Sequence, residues 1–457
     1  MTSPRPAIEP PAPAADITFP WDDADAPDPV EALGAARREL GDTFTVDSGD
    51  DRYLFVFSPV ALTGFYAIAE RVASKGLADY RMLLRKLPEE LFVGRRTYAH
   101  DLFGAQEVDG YVGHLDVAIQ RQLDELGDAG TFDAFALARR LGHRLALGCW
   151  MGDDAGAPPQ LDALIADLEC LDGAEAFVHP ERMAGGDGGK TVERAALERI
   201  ERTVARTLSG SEQSAGGTEG FLREIARRWD DVAEEERVRG IAADVVLLHV
   251  ATMTNLFAAL GWTLCLMLLD ADVRARVESG AGRAPVDRGF LDRCTLEAVR
   301  IGQRSIMMRS VLKSCDLDDG ATTYRMEPGV LLATMLPLTN TTALPGLASF
   351  DPDRWIGRRL RDDDALDAKE VVTTFGHGSH RCPAQRFSLS AIGRAIERLF
   401  ADFDLEPDFD SVRPVPSQIG GVARSADPCP VFYVRKAAAT LRSTRGETVE
   451  DAATQGT

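Results

Sequence analysis

Cys382 stands in the stretch Phe375-Gly376-His377-Gly378-Ser379-His380-Arg381-Cys382-Pro383-Ala384-Gln385-Arg386-Phe387, which runs straight into an amphipathic helical pattern. Gly376 and Gly378 permit torsions and a close approach that a Cβ resists, so the loop can fold tightly beneath a flat group. Pro383 supplies the preset φ of a first helical position. A cysteine at a helix N-terminus feels unpaired amides and the positive end of the dipole, both of which favour thiolate, the form that ligates metals. Two plainer readings stand beside this one: a buried small hydrophobe, or a zinc site of His377, His380 and Cys382 lacking a fourth ligand.

Three other clusters have spacing that bears on chemistry. Glu297 and Arg300, three apart, share a helix face. Phe350-Asp351-Pro352-Asp353-Arg354-Trp355 follows, with a third charged side chain in Arg354. Taken alone, the pair is an ordinary surface ion pair. Ser305-Ile306-Met307-Met308-Arg309 reads either as a binding segment or as an apolar strand ending in an exposed arginine. The longest apolar run, Val245 to Leu269, is interrupted by His249, Thr252, Thr254 and Asn255 and flanked by Asp244 and Asp270. Its length would cross a bilayer, but acidic flanks and internal polar groups point to a helix buried all round in a large core. His249 is placed with the pocket, though a satisfied core histidine is the plainer account. Thr254 and Asn255 can bond within the core or serve as a proton relay.

Together these patterns resemble the cytochrome P-450 superfamily. Phe375, Gly378, His380 and Cys382 fill its haem-loop pattern, with Ala384 where the family has Gly. The resemblance implies a mostly α fold with small β-sheets at one side and one haem b. Cys382 would be the axial thiolate on iron, Phe375 would pack near the sulfur, Gly376 and Gly378 would shape the loop, and His380 and Arg309 would reach propionates. Glu297, Arg300 and Arg354 would form the buried brace of the haem loop. His249, Ala251, Ile306, Met307 and Met308 would line the substrate pocket, with further walls at about 80–104, 174–187, 249–256, 331–333 and 419–422. The segment around Arg309 and the spacing Ala251, Asn255, Ala259, Trp262 look most like the sterol demethylase, bile-acid hydroxylase and prostacyclin synthase branch.

The central helix departs from the family's usual acid and alcohol pair, which helps protons reach dioxygen at the haem: Thr254 and Asn255 occupy those positions, with Thr252 nearby. The leading expectation is a monooxygenase acting on a small, largely apolar molecule, with electrons from a separate ferredoxin and its reductase. Arg381, Arg386, Arg394 and Arg398 would form a basic docking face, or simply a solvated helix face. The missing pair keeps an isomerase, dehydratase or peroxygenase open, as well as a haem protein that binds a ligand without turnover.

Composition bounds the setting. The 457 residues carry 51 basic and 72 acidic side chains, a net charge of −21, which argues against nucleic acid as partner. Seven scattered cysteines without a CxxC pair fit a reducing cytoplasm better than a disulfide framework. Residues 1–27, rich in Pro and Ala, read as a mobile tail, 28–436 as one domain and 437–457 as a polar, disordered tail. Within the domain, a hairpin around Asp47-Ser48-Gly49-Asp50 precedes helical patterns at 117–126, 132–147, 161–171, 192–208 and 221–233, and β-rich patches at about 316–340 and 412–435.

Overall fold

From Ile241 to Leu268 nearly every side chain is apolar, so no stripe of the helix Glu234–Leu269 is suited to water and the chain must pack other helices around it. A computed structural model, describing residues 6–13, 17–21, 23, 25–97, 101–172, 190–213, 221–280 and 287–437, places it at the centre. It packs against the helices Ala134–Met151, Thr191–Gln213, Arg288–Gly302 and Gln385–Asp402. Of its most apolar window, 67% is buried inside the protein. Helix Ala105–Leu126 completes this side of the core, packed on Ala134–Met151 and Gln385–Asp402.

The strands lie to the side. β1 (Thr43–Ser48) and β2 (Asp51–Val56) form the expected hairpin, but pair Asp47 with Arg52 and Ser48 with Asp51, carrying the ladder into the residues read as turn. With β3 (Ala73–Ser74), β5 (Ile306–Val311) and β8 (Val330–Met335) they make a five-stranded sheet in the order β1-β2-β8-β5-β3. β4 (Ala129–Asp133), β9 (Phe403–Pro407) and β10 (Pro430–Arg435) form a second sheet, and β6 (Cys315–Asp318) pairs with β7 (Thr323–Met326). Only β10 supplies regular strand within 412–435; the rest is a loop touching the body through isolated bridges such as Gln303 with Val422. The helix expected over 221–233 ends at Arg227.

The N-terminal segment differs from a free tail. Phe19 and Trp21 are buried in a cluster with Tyr53, Phe55, Met308, Leu331 and Ile419, and Ile8 bridges to Tyr324. Averaging composition over 27 residues hides two aromatics large enough to anchor a strap. Asp28 then caps the helix Pro29–Leu40 and pairs with the buried Arg304 at 2.6 Å. Residues 1–5 and 14–16, and the C-terminal segment from 438 on, lie outside the described residues.

Candidate active site

The loop before helix Gln385–Asp402 is held by its own backbone. Cys382 N–H donates to Phe375 O at 2.7 Å, and Gly376 N–H to Thr373 Oγ1 at 2.9 Å. Gly376 adopts φ 79°, and a Cβ there would meet His380 O at 2.4 Å, so glycine is required. The helix begins at Gln385, with Pro383 and Ala384 in a turn ahead of it, later than the expected start at Pro383. Burial pushes the Cys382 thiol up, opposed by the Ala384 N–H and the Arg381 charge. A metal ion reverses that balance, because a coordinating thiol is deprotonated outright.

Cys382 opens into a cleft of about 520 Å³ between the loop and the central helix. Phe103, Leu248, Leu256, Val299, Phe387 and Ile392 give it an apolar wall. Of the residues expected there, Ala251, Thr252, Asn255, Met307, Phe375, Gly376, His380 and Cys382 line it, and the expected walls contribute Phe103, Leu256 and Val422. The others are placed elsewhere. β5 alternates, so Ile306 and Met308 point into the cluster that holds Phe19 and Trp21, and only Met307 turns to the cleft. Thr254 faces the C-terminal loop, so close that a Cβ at Gly421 (φ 65°) would meet its carbonyl at 2.6 Å. His249 is fully buried and bonds His143. The expected wall at 174–187 lies outside the described residues.

The central-helix polar groups bond backward along their own helix. Thr252 Oγ1 donates to Leu248 O at 2.8 Å, Thr254 Oγ1 to Val250 O at 2.9 Å and Asn255 Nδ2 to Ala251 O at 3.3 Å. Asn255 keeps a second amide N–H and its carbonyl oxygen for the cleft.

Glu297 and Arg300 meet with side chains fully buried, Nη2 to Oε1 at 2.7 Å and Nε to Oε2 at 2.9 Å. Arg354 Nε adds 2.6 Å to Oε1, and Trp355 Nε1 adds 2.9 Å to Oε2. Arg300 Nη1 reaches Asn340 O at 2.5 Å, and the Asn340 side-chain amide in turn donates to Thr373 O and accepts from Thr373 N–H, which ties the brace to the start of the loop. Trp355 and Asn340 escaped the sequence reading because their roles depend on contacts across 33 to 58 residues.

Also lining the cleft, His380 accepts from Arg309 Nη1 at 2.9 Å. Arg309 is not directed at open space; its other donors go to the carbonyls of Phe65, Ile68 and Ala73. Two donors missed by the sequence reading also line the cleft. Lys75 pairs with Asp79, and Tyr66 Oη is buried without a partner among the described residues. An orphaned hydroxyl beside an ammonium and an imidazole fits the carboxylates of a haem, while the apolar wall and the single soft thiol fit its macrocycle and iron. The zinc alternative fails on geometry: His377 bonds Val372 O at 3.0 Å and His380 turns to Arg309.

The arginines expected as a docking face divide in two. Arg386 and Arg394 pair with Asp109 and Asp116 and Arg398 donates to Gln120 Oε1, so all three staple helix Gln385–Asp402 to helix Ala105–Leu126, and Arg398 also pairs with Asp402 one turn along its own helix. The Arg381 side chain bonds Gln385 and, with Arg293, Arg358, Arg359 and Arg361, borders a groove beside Phe375-Gly376-His377.

No family model matches the chain. It is similar to human 24-hydroxycholesterol 7-alpha-hydroxylase, 20% identical over 441 residues that cover 89% of this chain and 90% of that protein. A cytochrome P450 monooxygenase of Gibberella zeae is 23% identical over 292 residues, covering 57% of this chain and 53% of that one. Among solved structures, retinoic acid-bound cyanobacterial CYP120A1 matches with a TM-score of 0.67 and 17% identity, over 88% of this chain and 93% of that one.

Proposed function

For a chain that belongs to the cytochrome P-450 superfamily and is a haem b-dependent monooxygenase, we propose oxidation of a small, largely apolar organic molecule, with Cys382 as the iron's thiolate ligand. The observation that carries this reading is the single thiol opening into an apolar cleft beneath Ala251, Thr252 and Asn255. When bound, haem supplies the oxidising chemistry, and a cysteinate ligand favours cleavage of the O–O bond. The chain's own work is to bind, orient and keep dry. Tyr66, Lys75 and His380 would hold the propionates, Arg309 holds His380, and the Glu297 brace fixes the loop that carries the thiol. Leu248, Leu256 and Met307 orient an apolar substrate, and Asn255 presents the polar edge. The relatives support an apolar substrate: 24-hydroxycholesterol and retinoic acid, named for two of them, are largely hydrocarbon.

Electrons come, on this reading, from a ferredoxin and its reductase acting with the protein in the cytoplasm. The basic groove at Arg359 and Arg381 supports an acidic donor docking next to the thiolate loop. The hydrogen bonds that return Thr252, Thr254 and Asn255 to their own helix favour a second reading, an isomerase, dehydratase or peroxygenase that needs no reductase. Turnover with ferredoxin, reductase and isotope-labelled dioxygen, beside an anaerobic control without electrons, decides between them. We expect labelled oxygen in the product or coupled loss of two hydrogens. Full activity in the anaerobic control overturns the monooxygenase.

A further inference from the structure

Between Val245 and Leu269 the only side chains that ionise are His249 and Cys265. His249 lies on the flank that packs against helix Ala134–Met151, and its Nε2 is 2.9 Å from Nδ1 of His143. Both side chains are essentially sealed from solvent. The far nitrogen of His143, Nε2, lies 3.7 Å from Glu169 Oε1, and the Glu169 side chain is 43% exposed. A file of titratable atoms thus runs from solvent through two imidazoles to the central helix, hydrogen-bonded between the rings and open by 3.7 Å at its Glu169 end. At its inner end Nδ1 of His249 is buried without a partner among the described residues, and so is Nε2 of His143. Buried polar atoms without partners are rare and demand an explanation. Thr252, three residues on from His249 and adjacent to it on the helix surface, lines the cleft.

We propose that Glu169, His143 and His249 form a proton relay that brings solvent protons through the core to the central helix beside Thr252, in place of an acid on that helix. The proposal rests on the monooxygenase reading, which consumes protons in the cleft. The transfer balances without net charge: His143 Nε2 takes a solvent proton entering at Glu169, His143 Nδ1 passes its own to His249 Nε2, and His249 releases one from Nδ1 toward the cleft at Thr252. Each imidazole ends as the other tautomer and returns by ring reorientation or by the reverse flow of a later proton. Around the file, Arg139 holds Glu169 at 2.8 Å and Asp172 at 3.0 Å, and Arg424 holds Asp172 at 2.6 Å. Burial keeps both imidazoles neutral near pH 7, as a tautomeric relay needs.

Two measurements on the haem-loaded protein test this. In the reduced carbon monoxide complex, with histidines carrying the heavy nitrogen isotope, exchange of the imidazole N–H protons of His143 and His249 with solvent is read directly by NMR. Glu169→Gln, at the exposed end, should slow that exchange at least tenfold; an unchanged rate overturns the relay. In the electron-fed enzyme, His143→Gln and His249→Gln keep a donor and an acceptor but cannot pass a proton through a ring. Both should at least double the share of electrons lost to hydrogen peroxide while leaving the substrate-induced spectral shift in place. Unchanged coupling in both variants also overturns it. If the unaltered enzyme consumes no dioxygen with any donor, the monooxygenase reading falls and the exchange rates alone decide the relay.

Discussion

Arg309 and His380 share one hydrogen bond, Nη1 to Nε2 at 2.9 Å, and that bond selects the histidine tautomer. A guanidinium only donates, so Nε2 must accept and the imidazole proton sits on Nδ1, free for an acceptor in the cleft. Burial first and the Arg309 charge second hold His380 below its ordinary pKa. Glu70 Oε1, 3.3 Å from the same Nε2, is answered by Arg309 at 3.7 Å and by the Lys75 N–H at 3.2 Å.

Arg309→Met therefore strands the carbonyls of Phe65, Ile68 and Ala73 and frees the His380 ring. Each buried acceptor left without a donor costs about 1–3 kcal/mol. The urea midpoint of the haem-free protein should drop, and haem affinity should fall further than in His380→Ala. Arg309→Lys should rescue little, since one ammonium cannot span the separate carbonyls. Full rescue by lysine would show that charge alone matters there.

The brace should respond in order of burial. Glu297→Ala removes the acceptor of two guanidiniums and one indole at once, and leaving buried charges uncompensated costs about 3–5 kcal/mol. Arg300→Ala should approach that. Arg354→Ala should cost less, because its side chain is 12% exposed and Arg300 still answers the carboxylate. Chemical denaturation of the three variants checks the order; equal losses for Arg354 and Glu297 would contradict it.

Where a contact follows from local geometry, the sequence shows it: Glu297 and Arg300 lie one helical turn apart, and the glycines around His377 announce a tight loop. What escaped depends on phase or on distant partners. Ile306 to Met308 read as one wall, but a strand sends alternate side chains to opposite faces. Phe19 and Trp21 were diluted in a Pro-rich average. His249 carried no sign of His143, 106 residues away on another helix. Arg386 and Arg394 looked like a free basic face because Asp109 and Asp116, which neutralise them, stand some 280 residues earlier. Tyr66 and Lys75 had no motif around them at all.

Cys382→Ser tests the proposed ligand. Reduced protein with carbon monoxide should show the red-shifted band of thiolate ligation, and the serine variant should lose it. Helix content by circular dichroism should hold, because Cys382 anchors the loop through its backbone N–H. An unchanged band in Cys382→Ser would place the thiolate elsewhere among the seven cysteines.

Acid should destabilise the fold well before the carboxylates titrate. Burial pulls His143, His249 and His377 below their ordinary pKa, so the unfolded chain takes up protons that the folded one refuses. Stability is then full above the unfolded value, about 6.5, and falls as pH drops below it, by up to about 1.4 kcal/mol per pH unit for each such histidine. Glu169, an ion-paired carboxylate held below its ordinary range, weakens only at much lower pH and lies outside this window. Urea midpoints between pH 7.5 and 5.5, roughly the range in which histidine titrates, should decline steeply, and His249→Gln should flatten the decline by about one proton's share. A flat profile in the unaltered protein would contradict the buried neutral imidazoles.

The last prediction concerns Asn255, the polar group of the central helix that keeps a donor for the cleft. Thr252 spends its hydroxyl proton on Leu248 O and can offer only lone pairs without breaking that bond. Asn255 gives one amide proton to Ala251 O and retains another, together with its carbonyl oxygen. It cannot ionise, so its contribution is to hold water or a substrate oxygen in line. Asn255→Ala should divert electrons into hydrogen peroxide, with product per electron falling about tenfold, or about 1.4 kcal/mol on the productive branch. Substrate affinity, read from the spectral shift, should change less, because Leu248, Leu256 and Met307 leave the cleft an apolar lining that the substitution does not touch. Asn255→Asp keeps the shape and adds a group that ionises, so it should restore coupling with a new pH dependence. Thr252→Val should matter less than either, since its hydroxyl is already bound to the helix. If Asn255→Ala instead loses affinity and coupling in equal proportion, Asn255 is a substrate contact and the ordering of water lies with other groups.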